Sequence, residues 1–363
     1  MRYPDNTALM LMLSVVMLLS TTCIKAQNAS DFSNFLRLEQ ANASKLIAAY
    51  TSPAIRGVSY GMTNGWYHTA KAHKSLGFDL GVTMSAVFIP TSENYFSPGD
   101  LQLANTTFTN VTHPGLGGPT IFGNKDVTNY TSTYTPTGLS AALGPQTVSF
   151  SGPEGLDLAG SIGFSAVPVP MIQLGIGIIK NTDLKIRLLP ERTVGGNSPG
   201  STPSKISMLG FGLLHDIKQY IPGIKLAPFD LSILVAYNSV AGETSLVSSG
   251  STGQPQSSDG NVSYKLNSWI VQGVISKKFS VFTLYGGLGY GSVNTNVDVT
   301  GTFIIPAVPS SFSVKDPVAI NFSNNGVKFN AGFRLKFGPV YLNTDYTIQK
   351  YNALTVGFGL SVR

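Results

Sequence analysis

The chain has 363 residues, of which only 12% are charged, with 39 glycines and a formal net charge of +6. Charge at about half the share of an average soluble domain argues against an ordinary hydrated surface. The basic residues form no run and have no aromatic residues interleaved with them, so nothing marks a nucleic-acid-binding face. Mean hydropathy is slightly positive, yet no run after residue 20 reaches the ~20 apolar residues of a membrane-spanning helix. Few charges, many glycines and no spanning helix point to β-structure in a membrane.

In chain order, Arg2, an apolar core from Ala8 to Leu19 and the polar stretch "TTCIKAQ" describe a secretory signal over 1–26. Ile24 and Ala26 suit the cleavage positions, which places the cut between Ala26 and Gln27. Cys23 offers a lipidated alternative, disfavoured by Thr22 just before it. Cleavage after Ala26 removes Arg2, Lys25 and Asp5, leaving 22 basic and 17 acidic residues and no cysteine.

Residues 27–76 read as an N-terminal helix followed by a plug or periplasmic segment. Ser30 or Asp31 can cap a helix whose apolar face is Phe32, Phe35, Leu36, Leu46, Ile47 and Tyr50, and Pro53 is expected to stop it. The stretch "GWYHTAKAHK" then brings Trp66, Tyr67, His68, Lys71, His73 and Lys74 together. Histidines at i and i+5 share no helix face, and no Asp, Glu or Cys nearby in sequence completes a ligand set. These residues are therefore expected to be plug or lumen contacts, with no metal, cofactor or catalytic residue assigned. Trp66 and Tyr67 either anchor at the membrane interface or pack in the lumen.

From residue 77 to 363 the pattern is one of strands. Spans near 77–90, 170–180, 183–190, 206–214, 229–241, 262–276, 280–296, 327–337, 339–350 and 353–363 are predicted. In "ALTVGFGLSVR" one face carries Leu354, Val356, Phe358, Leu360 and Val362 and the other Thr355, Gly357, Gly359, Ser361 and Arg363. Side chains alternate in a strand, so one side is wholly apolar and the other small or polar. "VKFNAGFRLKF" and "PVYLNTDYTIQK" repeat the pattern. A soluble sandwich also alternates, but these strands are long, and their Gly-rich second face suits a lumen better than a charged surface. The long connections 91–169, 191–205, 242–261 and 297–326 fall at one end and mostly short turns at the other, as outer-membrane barrels require. Segment 91–169 is too long for a plain loop, and "LQLANTTFTNV" and "QTVSFSG" are expected to extend neighbouring strands or add further ones. The expectation is an all-β fold, a transmembrane antiparallel β-barrel of about 10–14 strands. Its candidate lumen charges are Asp79, Lys185, Arg187, Asp230, Lys328, Arg334, Lys336, Asp345 and Arg363, either paired internally or lining a ligand path.

Other constellations read as structural. His215 and Asp216 are adjacent and so rarely face each other, which favours turn or helix-start hydrogen bonding over a general-base pair. His113 in "THPG" serves a lipid hydrolase only if a serine stands beside it. "YGGLGYGS" lies inside a predicted strand with no helix after it, so its glycines ease curvature or leave room for something inside the barrel.

Three segments, "GWYHTAKAHKSLGFDLGVTMSAVFIP", "MIQLGIGIIKNTDLKIRLLPE" and "GLLHDIKQYIPGIKLAPFDLSILVAY", resemble a family of Bacteroidota outer-membrane β-barrel proteins with no assigned function. The likeness runs from about residue 50 to the end. It implies location in the outer membrane of a Gram-negative bacterium and a barrel architecture, but no catalytic residues. In layout the chain is also loosely similar to long-chain fatty-acid transporters, where an N-terminal plug occupies the lumen. The expected function is non-enzymatic passive passage of a small hydrophobic molecule; a scaffold barrel of a surface or secretion complex and an outer-rim lipid hydrolase are the alternatives. Expected partners are outer-membrane lipid, the barrel-assembly machinery and a small hydrophobic ligand.

Overall fold

The computed structural model describes residues 34–38, 40–134, 144–179, 181–194, 204–245, 256–305 and 311–362. The expected leader with its Ala26–Gln27 cut, the Ser30 or Asp31 cap, Phe32 and the lumen candidate Arg363 lie outside the described residues.

The chain runs through a 3-10 turn (Asn34–Arg37) and helix α1 (Gln40–Met62) into strand β1 (Phe78–Phe88). Three short strands follow, β2 (Thr106–Asn110), β3 (Thr128–Tyr134) and β4 (Gln146–Ser151). Longer strands come next: β5 (Ala166–Ile179), β6 (Thr182–Val194), β7 (Ser204–Asp216) and β8 (Asp230–Ser245). β9 (Asn261–Phe279) and β10 (Phe282–Thr300) precede the small pair β11 (Thr302–Ile305) and β12 (Phe312–Lys315). Last come β13 (Val318–Phe337), β14 (Val340–Ile348) and β15 (Ala353–Val362).

Among the described residues, ten antiparallel strands form a closed barrel in the order β1, β15, β14, β13, β10, β9, β8, β7, β6, β5, with β5 returning to β1. Each matches one of the spans predicted from alternation. The segment between β1 and β5 does not add to the barrel. Its strands β2, β3 and β4 form a separate three-stranded sheet. "TNYTSTY" and "QTVSFS" alternate but carry Thr and Ser where a lipid-facing row would be needed, and so stay in water.

Burial is inverted relative to a soluble protein. Leu80, Leu188, Val235, Leu288, Phe329 and Leu342 are exposed, while Asp79, Lys185, Arg187, Lys328, Arg334 and Asp345 are buried. An apolar belt of this extent cannot face water, and a polar interior needs internal partners. Outward aromatics such as Trp269 and Tyr290, with ring centroids 5.6 Å apart, add the interfacial rings typical of membrane barrels. Short connections join β9 to β10 and β13 to β14 at one end; the segments between β1 and β5 and between β10 and β13 lie at the other. That asymmetry makes the long-connection end the outer one.

Helix α1 departs from expectation at its proline. Pro53 lies inside it and does not end it. The missing Pro53 N–H would orphan the Ala49 carbonyl, and the Ser52 hydroxyl donates to that oxygen instead at 3.3 Å. The helix therefore runs on to Met62. Its start lies at the long-connection end. Asn42 Nδ2 donates to the Ala104 carbonyl at 2.7 Å, the Tyr50 hydroxyl to the Glu154 carbonyl at 2.8 Å, and Arg56 pairs with Glu93 at 3.0 Å. Phe35, Leu46, Ile47 and Tyr50 share a core with Phe96, Tyr130 and Phe150 of the outer segment. Farther down, Tyr60 and Met62 pack on wall residues Val87, Val167 and Val169. The chain thus descends through the lumen from the outer face to β1 at the other end.

Candidate functional site in the barrel lumen

The C-terminus of α1 is gripped from the wall. Arg187 Nη1 donates to the Met62 carbonyl at 2.9 Å and Nη2 to the Asn64 carbonyl at 2.8 Å, while Nε reaches Gln173 at 3.0 Å. Asn238 Nδ2 adds a second donor to Met62 at 3.0 Å, and Lys328 Nζ donates to the Thr63 carbonyl at 2.8 Å. The last carbonyls of a helix have no partner within it and carry partial negative charge, so a cationic clamp is the chemistry they call for. The guanidinium also lies over the Trp66 ring, 3.8 Å from its centroid.

Below the clamp the irregular segment is fixed residue by residue. The Tyr67 hydroxyl donates to Asn330 Oδ1 at 2.6 Å, in a network continuing through Asp345 to Tyr285. A Cβ on Gly287 would meet the Tyr67 hydroxyl at 2.0 Å, so a glycine of "YGGLGYGS" makes room for the plug. The Ala70 N–H donates to Ser276 at 2.9 Å and its carbonyl accepts from Ser232 at 2.5 Å.

At the floor, two histidines of the plug meet carboxylates of the wall. His73 lies between Asp183, 2.8 Å from its Nδ1, and Asp79, 3.6 Å from its Nε2. His68 Nε2 is 3.7 Å from Asp79, and Lys185 Nζ is also 3.7 Å from it. One carboxylate, Asp79, stands in β1 only six positions after His73, where the sequence reading passes it over, and the other, Asp183, comes from β6, two strands along the wall. The ligand atoms of His73, Asp79 and Asp183 lie within 4.8 Å of one another.

Of the predicted contacts, Trp66, Tyr67, His68 and His73 are buried in the lumen, which decides against an interfacial anchor for the aromatic pair. Lys71 and Lys74 are exposed at the short-turn rim. Asp79, Lys185, Arg187, Lys328, Arg334 and Asp345 are buried inside the barrel. Asp230 and Lys336 are only half-buried near the same rim, and Lys336 Nζ donates to the Ser361 carbonyl at 2.7 Å. Asp183 is absent from the predicted set, although its place two residues before Lys185 puts it on the same face of β6. Gln173, Asn238 and Asn330 are missing for another reason: uncharged amides carry no cost signal in a sequence.

The remaining histidines have structural partners. His215 Nδ1 lies 2.8 Å from Thr182 Oγ1, and Asp216 instead accepts from the Lys218 N–H at 2.9 Å. In the outer cap, His113 Nδ1 is 2.8 Å from Asp126 Oδ2, which also accepts from Tyr95 at 2.8 Å and Asn110 at 3.0 Å. No serine is hydrogen-bonded to His113 among the described residues. Burial pushes the Asp126 carboxyl up, but the bonds from Asn110, Tyr95 and His113 outweigh it and hold the group below the ordinary carboxylate range.

The profile of a family of unknown function, DUF6588, matches residues 5–362. No curated protein sequence matches the chain. Among solved structures it is similar to the translocator domain of the autotransporter NalP from Neisseria meningitidis, at 12% identity and TM-score 0.38, covering 90% of this chain and 100% of that one. It is also similar to the attachment invasion locus protein Ail of Yersinia pestis, at 11% identity and TM-score 0.25, over 50% of this chain and 96% of that one. The outer-membrane channel DcaP of Acinetobacter baumannii follows at 11% identity and TM-score 0.18, over 80% and 99%. Likenesses this distant say nothing about what passes through or binds to the barrel.

Proposed function

The chain belongs to the DUF6588 family, and we propose that it is an integral outer-membrane barrel kept shut by its own N-terminal segment. In this proposal the barrel holds a folded cap on the outer face, as a non-enzymatic platform for a surface or secretion assembly. The single observation that carries it is the clamp on the end of α1, where Arg187, Asn238 and Lys328 saturate the carbonyls of Met62, Thr63 and Asn64. A mobile gate would not be expected to bury three wall donors in its backbone, because opening would leave each of them unpaired. Liposome swelling with small sugars and planar-bilayer conductance test the idea. The wild-type barrel should give no flux, and steady flux through it would overturn the closed-barrel reading.

Passive passage of a small hydrophobic molecule has one feature in its favour. β14 pairs with β13 only from Phe329 to Phe337, so the outer part of β13 has no β14 neighbour. Tyr60, Thr63, Asn324, Gly326 and Lys328 line a cavity of about 20 Å³ there, room for about one water. Faster uptake of a hydrophobic fluorescent probe into wild-type liposomes than into empty ones would establish this route.

A further inference from the structure

The floor cluster has the composition and spacing of a transition-metal site, and neither the plug nor the wall contains one alone. We propose that His68 and His73 of the plug and Asp79 of β1 bind one divalent cation of the zinc class, with Asp183 orienting His73. The proposal stands whether or not the barrel conducts.

Asp183 takes both hydrogen bonds that His73 can offer on one side, from its backbone N–H at 2.7 Å and from ring Nδ1 at 2.8 Å. That arrangement assigns the ring proton to Nδ1 and leaves the Nε2 lone pair facing Ser361 Oγ, 3.4 Å away, and Asp79 Oδ2, 3.6 Å away. The serine contact is long, and a cation between Nε2 and Asp79 would give both a closer partner. A carboxylate holding the far nitrogen of a ligating histidine is the usual second layer of a zinc site.

An independent observation points the same way. Neither ring nitrogen of His68 and neither oxygen of Asp79 has a hydrogen-bond partner, although the residues are only 5% and 1% exposed. Buried polar atoms are rarely left unpaired, and here His68 Nε2 and Asp79 Oδ1 face each other. The His68 Nε2 to Asp79 Oδ1 separation of 3.7 Å and the His73 Nε2 to Asp79 Oδ2 separation of 3.6 Å are too long for hydrogen bonds. Each is close to the edge of about 3.4 Å between ligands of a tetrahedral ion bound at about 2.0–2.1 Å. They run to different oxygens of Asp79, so His68 would close in on the group formed by His73, Asp79 and Asp183 when the ion binds. β5 leaves the space open, since a Cβ on Gly175 would fall 2.5 Å from Asp79 Oδ2. Lys185 Nζ, 3.7 Å from the same oxygen, is the resident counter-cation that competes with the metal. Two histidines and one carboxylate match borderline-soft Zn²⁺ better than calcium or magnesium, which prefer all-oxygen sites.

The test uses the full chain, folded in detergent, stripped with chelator, loaded with Zn²⁺ and dialysed against metal-free buffer. Metal analysis should find one Zn²⁺ per chain, and the Co²⁺-loaded protein should show the visible absorption of a low-coordinate histidine site. Asp79→Asn and His73→Gln should lose the bound metal, and Asp183→Asn should weaken it on the order of 10- to 100-fold. Lys185→Met should tighten it, whereas His113→Ala, which removes the exposed cap histidine, should leave it unchanged. Heat-modifiable gel migration reports whether each variant has folded. Should Asp79→Asn or His73→Gln fail to fold, the Co²⁺ spectrum of the wild type and of His113→Ala decides. No wild-type binding, binding that survives in folded Asp79→Asn, or loss of the Co²⁺ band in His113→Ala would each overturn the proposal.

Discussion

Arg187 ties the barrel wall to the segment that fills the lumen. It is fully buried, its guanidinium stacks on Trp66, and its donors end on Met62, Asn64 and Gln173. Arg187→Met would keep most of the volume and orphan two buried acceptors, the Asn64 carbonyl and Gln173 Oε1, each costing about 1–3 kcal/mol, while the Met62 carbonyl keeps Asn238. Arg187→Lys keeps the charge but presents a point donor in place of a planar fork, so it should recover only part of the loss. Limited proteolysis of the segment between α1 and β1, followed against urea, gives the order: wild type most protected, then Arg187→Lys, then Arg187→Met. Equal protection in all three would show that the clamp contributes nothing. The charge on Arg187 is readable in the sequence as a lumen candidate, but its role as a clamp is not. The acceptors are backbone carbonyls more than 100 positions away, and backbone groups leave no trace in residue identity.

At the scale of elements, the strands were legible and the outer cap was not. Alternation in "ALTVGFGLSVR" or "VKFNAGFRLKF" is a local property imposed by lipid on one side and the plug on the other, so the sequence carries it whole. β2, β3 and β4 alternate too, but their apolar row of Phe108, Tyr130 and Phe150 packs on the N-terminal segment and not on lipid, and nothing local separates the sheet from a ragged end of a barrel strand. Helix α1 passes its proline because Ser52 takes over an orphaned carbonyl, a compensation visible only once the helix is built. The cap is held partly by Asp126, whose carboxyl lies below the ordinary range, so its ionised form is favoured by the fold. That stabilisation is complete above the ordinary value of 3.8 and disappears as pH falls below it through the depressed one. Protease sensitivity of residues 91–165 should therefore rise below about pH 4 while the barrel stays folded, and Asp126→Asn should show raised sensitivity already at neutral pH. A cap in Asp126→Asn as resistant as the wild type would remove Asp126 from this role. The helix–wall contact makes a comparable demand. A Cβ at Gly57 or Gly61 would lie 2.6 Å or 2.5 Å from Val167 or Val169, so Gly61→Leu should loosen α1 from β5 by overpacking. Increased proteolysis of α1 in that variant is the outcome to look for.

For the whole molecule, the order of elements along the chain sets its path through the lumen. β1 pairs with β15 to close the barrel, and the segment immediately before β1 already lies inside it, with α1 emerging at the outer end. In the closed barrel residues 40–77 therefore run the length of the lumen, with the start of α1 at the long-connection end. This threading follows from two facts: the long connections define the outer end, and Asn42, Tyr50 and Arg56 bond to residues of the outer segment. The first is legible in the lengths of the connections; the second is not, so a sequence reading sees a helix ahead of a barrel and cannot tell from which end it enters. With Cys23 in the expected leader, a cysteine introduced after Gln27 would be the only thiol of a chain cut there. Ala41 and Lys74 are both exposed, at opposite ends of the threaded segment. Ala41→Cys should react with a membrane-impermeant maleimide on intact cells, while Lys74→Cys should react only after the outer membrane is permeabilised. The reverse labelling would mean that the barrel sits the other way up in the membrane. Labelling of both on intact cells would mean that the lumen is open, and that the platform assigned to this protein is instead a pore.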